Sequence, residues 1–398
     1  MTQLLVDLSH TGHTGAHTGI QRLCRALYAA LREQGGEVLP ICHDPYESAW
    51  RPLRRWERVN LAPPPGIVAG GRGARWPLSA RIGGHLRRLA ARVRPTAAPA
   101  LSGDCLIEPE IFSPAVARAF PAILPRISGL RIALFHDAAA LQMPELSPPR
   151  TVARYPAYLQ ELLLFDGIAA ISDDSRATLV DYWRWLGVAN PPPVVGIPLG
   201  IDPPVPAPFG HTIAAGAAPV VLSVGSIEGR KNHLALLDAC EMLWRRGLRF
   251  ELQLIGLAHP QTGRPALDRL HALQTAGRPV HYEGPASEAD LARAYRACTF
   301  TVYPSLMEGF GLPVLESLSY GKPCISSAHG ALGESTRGGG CLALERVDAP
   351  ALAEAVASLL SDSERIDVLT TAAQHRTFKS WSAYTAELLA WMRTVSRR

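Results

Sequence analysis

The feature that most constrains the fold is a strand, a glycine-bearing turn, a helix and a second strand in immediate succession between residues 298 and 327. The apolar run 298–302, rich in β-branched and aromatic residues, predicts a buried strand. Pro313 suits the first helical position, because its missing N–H would have no intrahelical partner there. Gly321 is placed to cap that helix, and Pro323 ends it before the next strand. This order of elements is the repeating unit of an α/β fold.

The turn in this unit combines residues that can recognise both phosphate and sugar. Gly309 and Gly311 let the backbone approach a ligand closely, and the N–H groups at a helix start carry partial positive charge suited to phosphate. Glu308 and Glu316 bracket the turn, and carboxylate oxygens accept hydrogen bonds from sugar hydroxyls. Together these features indicate a nucleotide sugar. The alternative is that Glu316 only complements the helix dipole and that Glu308 is a solvated loop residue.

The run from Pro304 to Glu316 resembles the Glu-x7-Glu signature of retaining glycosyltransferases of family 4, such as bacterial mannosyl-, rhamnosyl- and glucosyltransferases of surface polysaccharide assembly. That resemblance implies the GT-B architecture, an α/β fold of two Rossmann-like domains with parallel sheets that face each other across a cleft. It implies that Glu308 contacts the donor sugar and Glu316 the donor ribose. It also implies that four backbone amides face the donor's sugar and diphosphate, those of Gly309, Phe310, Gly311 and Leu312.

A pair of basic residues follows another predicted strand, the continuous apolar run 219–225. Arg230 and Lys231 stand at the start of the next helix, where two fixed cations would stabilise the charge on a departing diphosphate without a metal. The resemblance implies that both contact the donor diphosphate; the alternative is a surface pair. The strand ends at Gly225 and around Tyr282 are expected to frame the nucleotide.

The amino-terminal half begins with a strand, a loop with three histidines and a helix. His10, His13 and His17 invite a metal hypothesis, but the loop offers no helical or turn-fixed ligand spacing, so no metal site is predicted. Thr18 is instead expected to cap the helix, and Gly19 to present its amide. This loop resembles the first glycine-rich loop of the family, which implies a place beside the donor diphosphate and the acceptor.

A further strand, 130–135, leads directly into His136 and Asp137. The carboxyl end of a strand is the ligand edge of an open α/β sheet. His136 could donate to a sugar hydroxyl, and Asp137 could orient it or receive the acceptor's proton. The resemblance implies that such a pair faces the donor sugar. The alternative is a pair that caps the next turn.

The segment from Trp50 to Arg94 is strongly basic, with eleven arginines and one acidic residue, Glu57. Arginine interleaved with tryptophan is compatible with nucleic acid, with an anionic membrane surface, or with an irregular solvated insertion. The remainder of the chain is near neutral or acidic, which argues against nucleic acid. Peripheral membrane contact and a plain insertion both stay open.

Composition bounds the remaining choices. The chain has 398 residues, of which 47% are hydrophobic and 19% charged, so it reads as globular with room for two domains. Its seven cysteines show no CxxC spacing, which indicates buried thiols in a reducing compartment. There is no signal-peptide pattern and no apolar run of roughly 18 to 20 residues. A cytoplasmic protein is expected, with or without peripheral contact at the inner face of the membrane.

A proline-rich zone between residues 190 and 208 predicts the domain boundary. We expect an acceptor-binding domain over 1–195 with the basic insertion at about 50–95, a nucleotide-sugar domain over 196–376, and a last helix over 377–398 that crosses back to the first domain, as the GT-B resemblance implies.

The sequence therefore predicts a retaining glycosyltransferase without metal or other cofactor. It would move a hexose or deoxyhexose from a nucleoside diphosphate to a saccharide or lipid-linked acceptor in cell-surface polysaccharide synthesis. Since no carboxylate stands out as a nucleophile, the resemblance implies front-face departure assisted by the diphosphate. The alternative is a non-catalytic nucleotide-sugar-binding scaffold of the same fold. The predicted catalytic residues are Glu308, His136, Asp137, Arg230 and Lys231.

Overall fold

The computed structural model describes residues 3–16, 18–62, 73–93, 101–202 and 218–398, without the side chains of residues 91 and 92. The chain divides into two compact units. The first comprises Met1–His136, Pro156–Gly200 and Ser380–Arg398, and the second comprises Asp137–Tyr155 and Ile201–Lys379.

The first unit is built on a seven-stranded sheet. Its strands are β1 (Gln3–Asp7), β2 (Glu37–Asp44), β3 (Ala49–Pro52), β4 (Cys105–Glu108), β5 (Arg131–Phe135), β6 (Gly167–Ala170) and β7 (Val194–Gly196). They lie in the order β3-β2-β1-β4-β5-β6-β7, and all neighbours are parallel except β2 and β3. The antiparallel edge strand β3 is the first part of the basic segment, so this part of the segment extends the sheet and is not irregular.

The second unit carries a six-stranded sheet in which every neighbouring pair is parallel. Its strands are β8 (Val220–Val224), β9 (Glu251–Ile255), β10 (Val280–Tyr282), β11 (Phe300–Tyr303), β12 (Cys324–Ser327) and β13 (Cys341–Leu344). The order is β10-β9-β8-β11-β12-β13. The direction of strand addition reverses between β8 and β11, and open α/β sheets bind ligands at such a switch point. A ligand site is therefore expected in the loops that follow these two strands.

Helices connect the strands in both units. In chain order they are α1 (Gly19–Glu33), α2 (Arg55–Arg58), α3 (Leu78–Val93), α4 (Pro114–Ile123), α5 (Ala139–Gln142), α6 (Pro149–Glu161), α7 (Asp173–Trp185), α8 (His233–Arg245), α9 (Arg264–Thr275), α10 (Glu288–Ala297), α11 (Leu312–Ser319), α12 (Gly330–Thr336), α13 (Ala349–Ser361), α14 (Ser363–Gln374) and α15 (Trp381–Met392). Over the residues that the structure describes, none is long and apolar enough to cross a membrane.

The core of the second unit forms where helices cover the parallel sheet. Phe300 and Val302 on β11 are fully buried, as are Leu236 and Leu237 on α8. Burial on both faces explains why the strands of this unit read as continuous apolar runs. The predicted order of strand, turn, helix and strand between residues 298 and 327 is confirmed, with α11 beginning one residue before Pro313.

The carboxyl-terminal helix α15 belongs to the first unit, where it packs against α1. A side chain at Gly167 on β6 would lie 2.9 Å from the ring of Trp391, so the glycine leaves room for the tryptophan. Arg398 donates its backbone N–H to Asp166 at 2.8 Å. The first unit is not continuous over the predicted range 1–195, because Asp137–Tyr155 belongs to the second unit.

All seven cysteines are free thiols. Cys24, Cys42, Cys240, Cys298 and Cys324 are buried, and Cys105 and Cys341 are half-buried. Burial raises the pKa of the Cys298 thiol to about 12, which makes it a poor nucleophile. These side chains act as small apolar groups in the cores of the two units.

Candidate active site in the second unit

The Glu308 carboxylate lies at the centre of a buried polar cluster beside β11. Arg230 Nη1 lies 2.9 Å from Oε2, and Lys231 Nζ lies 2.5 Å from Oε1. The hydroxyls of Tyr303 and Ser305 donate to Oε1 at 2.9 and 2.6 Å. Glu308 is only 8% exposed. The alternative of a solvated loop residue is therefore wrong for this position.

The two cations come from a short 3-10 turn after β8, Gly229–Lys231. Leu306 donates its N–H to the Arg230 carbonyl at 2.8 Å, which ties this turn to the loop after β11. Asn232 follows in the left-handed conformation, with φ 56°. Its side chain donates to the carbonyls of Pro304 and Val347 at 3.2 and 2.8 Å. The turn thus meets the Glu308 loop through backbone and side-chain bonds, so the basic side chains are held in place before any ligand arrives.

Charge pairing and burial act in opposite directions in this cluster. Burial alone would raise the pKa of Glu308, but the neighbouring Arg230 and Lys231 outweigh it and lower that pKa to about 2. Burial lowers the pKa of Lys231 despite its attraction to Glu308. The pKa of Arg230 is raised, since Glu308 and Glu228 outweigh its burial. Near neutral pH Glu308 is a carboxylate between two cations, and Arg230 also contacts Glu228 at 3.1 Å.

Burial also keeps two other groups near the carboxylate uncharged, the Tyr303 hydroxyl and the His233 imidazole. The pKa of Tyr303 is raised well above its ordinary value by burial and by Glu308, so its hydroxyl is a hydrogen-bond donor to the carboxylate. Lys231 donates to the same hydroxyl and lies 4.8 Å from the centre of the Tyr303 ring. His233 is buried, and its pKa is lowered to about 3 by burial and by Lys231, so the imidazole is uncharged.

The amino-terminal end of α11 follows this cluster directly. Gly311 precedes the helix with φ 102°, a conformation that favours glycine. A Cβ there would lie 3.0 Å from Leu332 Cδ2 and 3.1 Å from Ser335 Oγ, so the space is also closed to a side chain. In the described part of the chain, the amides of Phe310, Gly311 and Leu312 donate to no acceptor. Three unpaired N–H groups at a helix start form a ready anion site.

Glu316 lies in the second turn of α11 and is 9% exposed. The Tyr295 hydroxyl donates to its Oε2 at 3.1 Å. Tyr295 in turn stacks on Tyr320, with ring centres 5.1 Å apart. The Tyr295 ring that this stacking holds therefore carries the hydroxyl that binds the Glu316 carboxylate.

The two other predicted nucleotide contacts are Gly225, which follows β8, and Tyr282, which ends β10. Both strands lie on the same side of β11 in the sheet. A side chain on Gly225 would approach the Tyr303 ring at 3.5 Å, and a side chain on Gly256 would collide with the Gly225 carbonyl at 1.9 Å. The Tyr282 hydroxyl donates to the Gly256 carbonyl at 2.9 Å. Tyr282, Gly256, Gly225 and Tyr303 therefore form one continuous path of contacts that ends at Glu308.

His136 and Asp137 fall on either side of the division between the units. His136 is buried in the first unit, where its Nε2–H donates to the Pro109 carbonyl at 2.8 Å. Asp137 belongs to the second unit, where its Oδ1 accepts from the Ala139 N–H at 3.0 Å, a bond that caps the following turn. Gly19 is the first residue of α1 in the first unit.

The histidine loop of the first unit forms a different cluster. His13 Nε2 and Glu57 Oε1 are 2.8 Å apart, and Arg51 donates to both oxygens of Glu57 at 2.7 Å. Cys42 Sγ lies within 4.8 Å of the His13 and Glu57 ligand atoms, a grouping that could in principle hold a metal. The Arg51 guanidinium already occupies the carboxylate, so the arrangement reads as a buried ion pair. His10 contacts Gln21 at 3.1 Å, and His17 lies outside the described residues.

Sequence reasoning missed three residues of the second-unit site. Tyr303 and Ser305 hold Glu308, and Asn232 positions Arg230 and Lys231. A signal was available for Asn232, since asparagine is one of the few residues that tolerate the left-handed conformation at a helix start. Tyr303 and Ser305 carried no such local signal, because their role depends on a carboxylate brought to them by the turn after β11.

Comparison with known proteins finds one family model and several relatives that this chain resembles. Residues 218–362 match the family model described as glycosyl transferases group 1. The serotype-specific mannosyltransferase WbdA of Escherichia coli is 26% identical over 345 residues, which cover 81% of this chain and 38% of that protein. The O-antigen chain mannosyltransferase B of Escherichia coli is 28% identical over 275 residues, which cover 67% of this chain and 71% of that protein. The chain thus spans well under half the length of the WbdA relatives.

Solved structures show the same fold. The sucrose-phosphate synthase of Thermosynechococcus elongatus superposes with a TM-score of 0.70 at 18% identity, covering 99% of both chains. Anabaena HepE, solved in complex with UDP-glucose, superposes with a TM-score of 0.67 at 16% identity, covering 99% of this chain and 100% of that one. The fold class is therefore GT-B, as the sequence predicted.

Proposed function

Because residues 218–362 form a glycosyl transferases group 1 domain, we propose that this chain is a glycosyltransferase that takes its sugar from a nucleoside diphosphate. The observation that carries the proposal is the cluster of Arg230, Lys231 and buried Glu308 beside the unpaired amides of α11. Two fixed cations and three N–H groups suit a diphosphate, and a carboxylate suits sugar hydroxyls.

Each group has a distinct part in this proposal. Arg230 and Lys231 hold the diphosphate and stabilise its negative charge as the glycosidic bond breaks. Glu308 accepts hydrogen bonds from the donor sugar, and Glu316 accepts them from the ribose. The amides of residues 310–312 bind phosphate oxygens. His136 and Asp137 stay predictions, because the side-chain bonds described for them, to the Pro109 carbonyl and the Ala139 amide, involve none of these donor-binding groups.

We propose a retaining and metal-independent reaction for the same reason. The cations supply the charge that a metal would otherwise bring to the leaving group. Four neighbours hold Glu308, and Arg230 and Lys231 lower its pKa to about 2 against the effect of burial. A carboxylate bound in this way is too strongly stabilised and too tightly held to act as the nucleophile. Departure of the diphosphate and attack of the acceptor on the same face of the sugar need no protein nucleophile.

The names of the relatives support a proposal for the classes of donor and acceptor. Two are mannosyltransferases, one of them of O-antigen chains, and HepE was solved with UDP-glucose. We propose a hexosyl donor of this kind, with a saccharide or lipid-linked acceptor in cell-surface polysaccharide synthesis. The activity of the longer WbdA relatives as a whole is not assigned to this chain.

Calorimetric titration with GDP-mannose, UDP-glucose and a dTDP-sugar tests the proposal, with and without a chelator. We expect one donor to bind equally well in both conditions, and Arg230→Gln to weaken binding by tenfold or more, about 1.4 kcal/mol. Arg269→Gln is the matched control, because Arg269 is also half-buried in an ion pair of the second unit, with Asp238 at 2.7 Å.

The outcomes separate the candidates. Donor binding followed by formation of an α- or β-linked product that keeps the donor's configuration supports the retaining transferase. Binding with neither transfer nor slow donor hydrolysis would identify a nucleotide-sugar-binding scaffold. Equal effects of the Arg230 and Arg269 substitutions would remove the cluster from the site.

A further inference from the structure

We propose that helix α3 of the first unit docks this protein on an anionic membrane surface. The helix has an exposed apolar stripe and neighbouring arginines, and no acidic residue lies anywhere between residues 73 and 93. This surface is distinct from the cluster around Glu308 and does not depend on the proposed function. It lies within the basic segment from Trp50 to Arg94, for which the sequence left peripheral membrane contact as an open alternative.

The apolar stripe consists of five large side chains at helical spacing. Their exposed fractions are 70% for Leu78, 53% for Ile82, 63% for Leu86, 61% for Leu89 and 76% for Val93. At about 100° per residue these positions fall within an arc of about 80° on one side of the helix. Single exposed apolar side chains are common in globular proteins, but a contiguous row of five marks an interaction surface.

The helix is held so that this stripe faces outward. Among the residues of α3 whose side chains the structure describes, Ala80 and Gly84 are the buried ones, and at about 100° per residue they lie on the side opposite the stripe. A side chain on Gly84 would lie 2.6 Å from Tyr46 Cβ, so the helix backbone sits directly on the turn after β2. The His85 ring meets the Tyr46 ring edge-on, with centroids 5.4 Å apart, and Arg87 pairs with Glu47 on the same turn.

The start of α3 is anchored by an aromatic cluster. Trp76 stacks on the His13 ring at 3.7 Å, and Trp56 meets Trp76 edge-on at 6.2 Å. Trp50 donates its indole N–H to the Ala119 carbonyl at 2.9 Å. These tryptophans therefore pack on the first unit, and on α3 the exposed large apolar side chains are the leucines, Ile82 and Val93.

The charges favour an anionic lipid surface over another copy of the chain. Arg81, His85 and Arg88 are exposed along one flank of the stripe. Two such helices face to face would bring like charges together, whereas an anionic bilayer offers phosphate to the arginines and hydrocarbon to the stripe. A nucleic acid would match the arginines but leave the apolar stripe in water. A membrane surface satisfies both features.

Vesicle sedimentation of the full chain tests the inference. The probes are vesicles of phosphatidylcholine alone and of phosphatidylcholine with an equal part of phosphatidylglycerol, at low and high salt. We expect binding to the anionic vesicles, and Leu86→Gln with Leu89→Gln to weaken it by about tenfold or more, because each leucine that enters the lipid interface contributes several buried CH₂ groups.

Val368→Gln is the matched control, because Val368 on α14 of the second unit is 63% exposed, the same fraction as Leu86. We expect it to bind vesicles like the wild type. Arg88→Gln should reduce both binding and its salt dependence. Circular dichroism of each variant confirms that the fold is kept.

Any of four results would overturn the proposal. One is a wild type that does not sediment with anionic vesicles. A second is equal binding by the stripe variant and the Val368 control. A third is a wild-type dimer that the stripe variant converts to monomer without any vesicle binding, which would assign the stripe to a second copy. Retention on duplex DNA without vesicle binding would likewise assign the arginines to nucleic acid.

Discussion

Replacing Glu308 by glutamine should destabilise the second unit by about 3 kcal/mol near neutral pH. The structure lowers the pKa of this carboxyl from 4.5 to about 2, because Arg230 and Lys231 outweigh its burial. At about 1.4 kcal/mol per pKa unit, that difference corresponds to about 3 kcal/mol of favourable interaction with the carboxylate. Removing one partner of a buried ion pair costs about 3 to 5 kcal/mol in other proteins, which agrees in size.

The pH dependence of the wild type follows from the direction of the Glu308 shift. A carboxyl whose pKa is depressed in the folded state contributes stability that is present above its unfolded pKa. That stability is lost as the pH falls from 4.5 towards about 2. The glutamine variant has no charge to lose at this position, so the gap between the two proteins should narrow in acid.

Lys231 adds a second pH dependence, which has the same sign as that of Glu308 but acts at higher pH. Burial lowers the pKa of Lys231 in the folded state, so the unfolded chain holds this proton more tightly. Below the unfolded pKa of a lysine, stability therefore rises as the pH rises. Without Glu308 the lysine pKa should fall further. We expect the variant to regain stability as the pH rises through the lowered pKa of the unpaired Lys231.

Urea denaturation at several pH values measures this effect. The control is Glu345→Gln, because the Glu345 side chain is 82% exposed and such a change should alter the free energy of unfolding by no more than about 0.5 kcal/mol. Combining Glu308→Gln with Lys231→Met removes the stranded cation and should recover part of the loss. A loss below about 1 kcal/mol for Glu308→Gln, or no recovery in the double variant, would refute the assigned pairing.

Three further predictions rest on single residues. Gly311→Ala should destabilise the second unit by about 1 to 3 kcal/mol in urea denaturation, because φ is 102° and Leu332 and Ser335 close the space for a Cβ; an unchanged midpoint would contradict it. Asn232→Gly should cost less than Asn232→Ala, because glycine keeps the left-handed φ of 56° and both lose the same two hydrogen bonds. Glu57→Gln should lower thermal stability, because the pKa of Glu57 is lowered to about 2 by Arg51 and His13 against burial; added zinc should leave the wild-type midpoint unchanged.

The part of the site that sequence could predict is the part coded by local backbone preferences. Pro313 and Gly321 mark the start and end of α11, and their preferences do not depend on the rest of the chain. The left-handed Gly311 belongs to the same class. Apolar runs and helical periods then predict alternating strands and helices, so the α/β class follows from residues close together in sequence. The switch point between β8 and β11 does not, because the strand order depends on pairing between distant strands.

The part that sequence could not predict depends on contacts between distant segments. Asp137–Tyr155 belongs to the second unit, where a side chain on Gly229 would lie 3.1 Å from Leu146. That contact joins residues more than eighty positions apart, and no local pattern encodes it. The burial of Glu308 is of the same kind, since its partners on the turn after β8 precede it by almost eighty residues. Propensity alone left a solvated glutamate as an open alternative.

The buried cluster of Arg230, Lys231 and Glu308 stabilises the fold inefficiently, because burying charges costs desolvation free energy. A buried ion pair often contributes no more than well-packed apolar residues of the same volume, although breaking it by a single substitution is costly. The fold of the second unit already has a continuous apolar core around Phe300 and Val302. Apolar residues of the same volume could therefore supply comparable stability in place of Arg230, Lys231 and Glu308. The charges instead provide donors and acceptors that are already fixed at the switch point of the sheet. In the proposed function, a diphosphate and a sugar would not have to order these groups on binding.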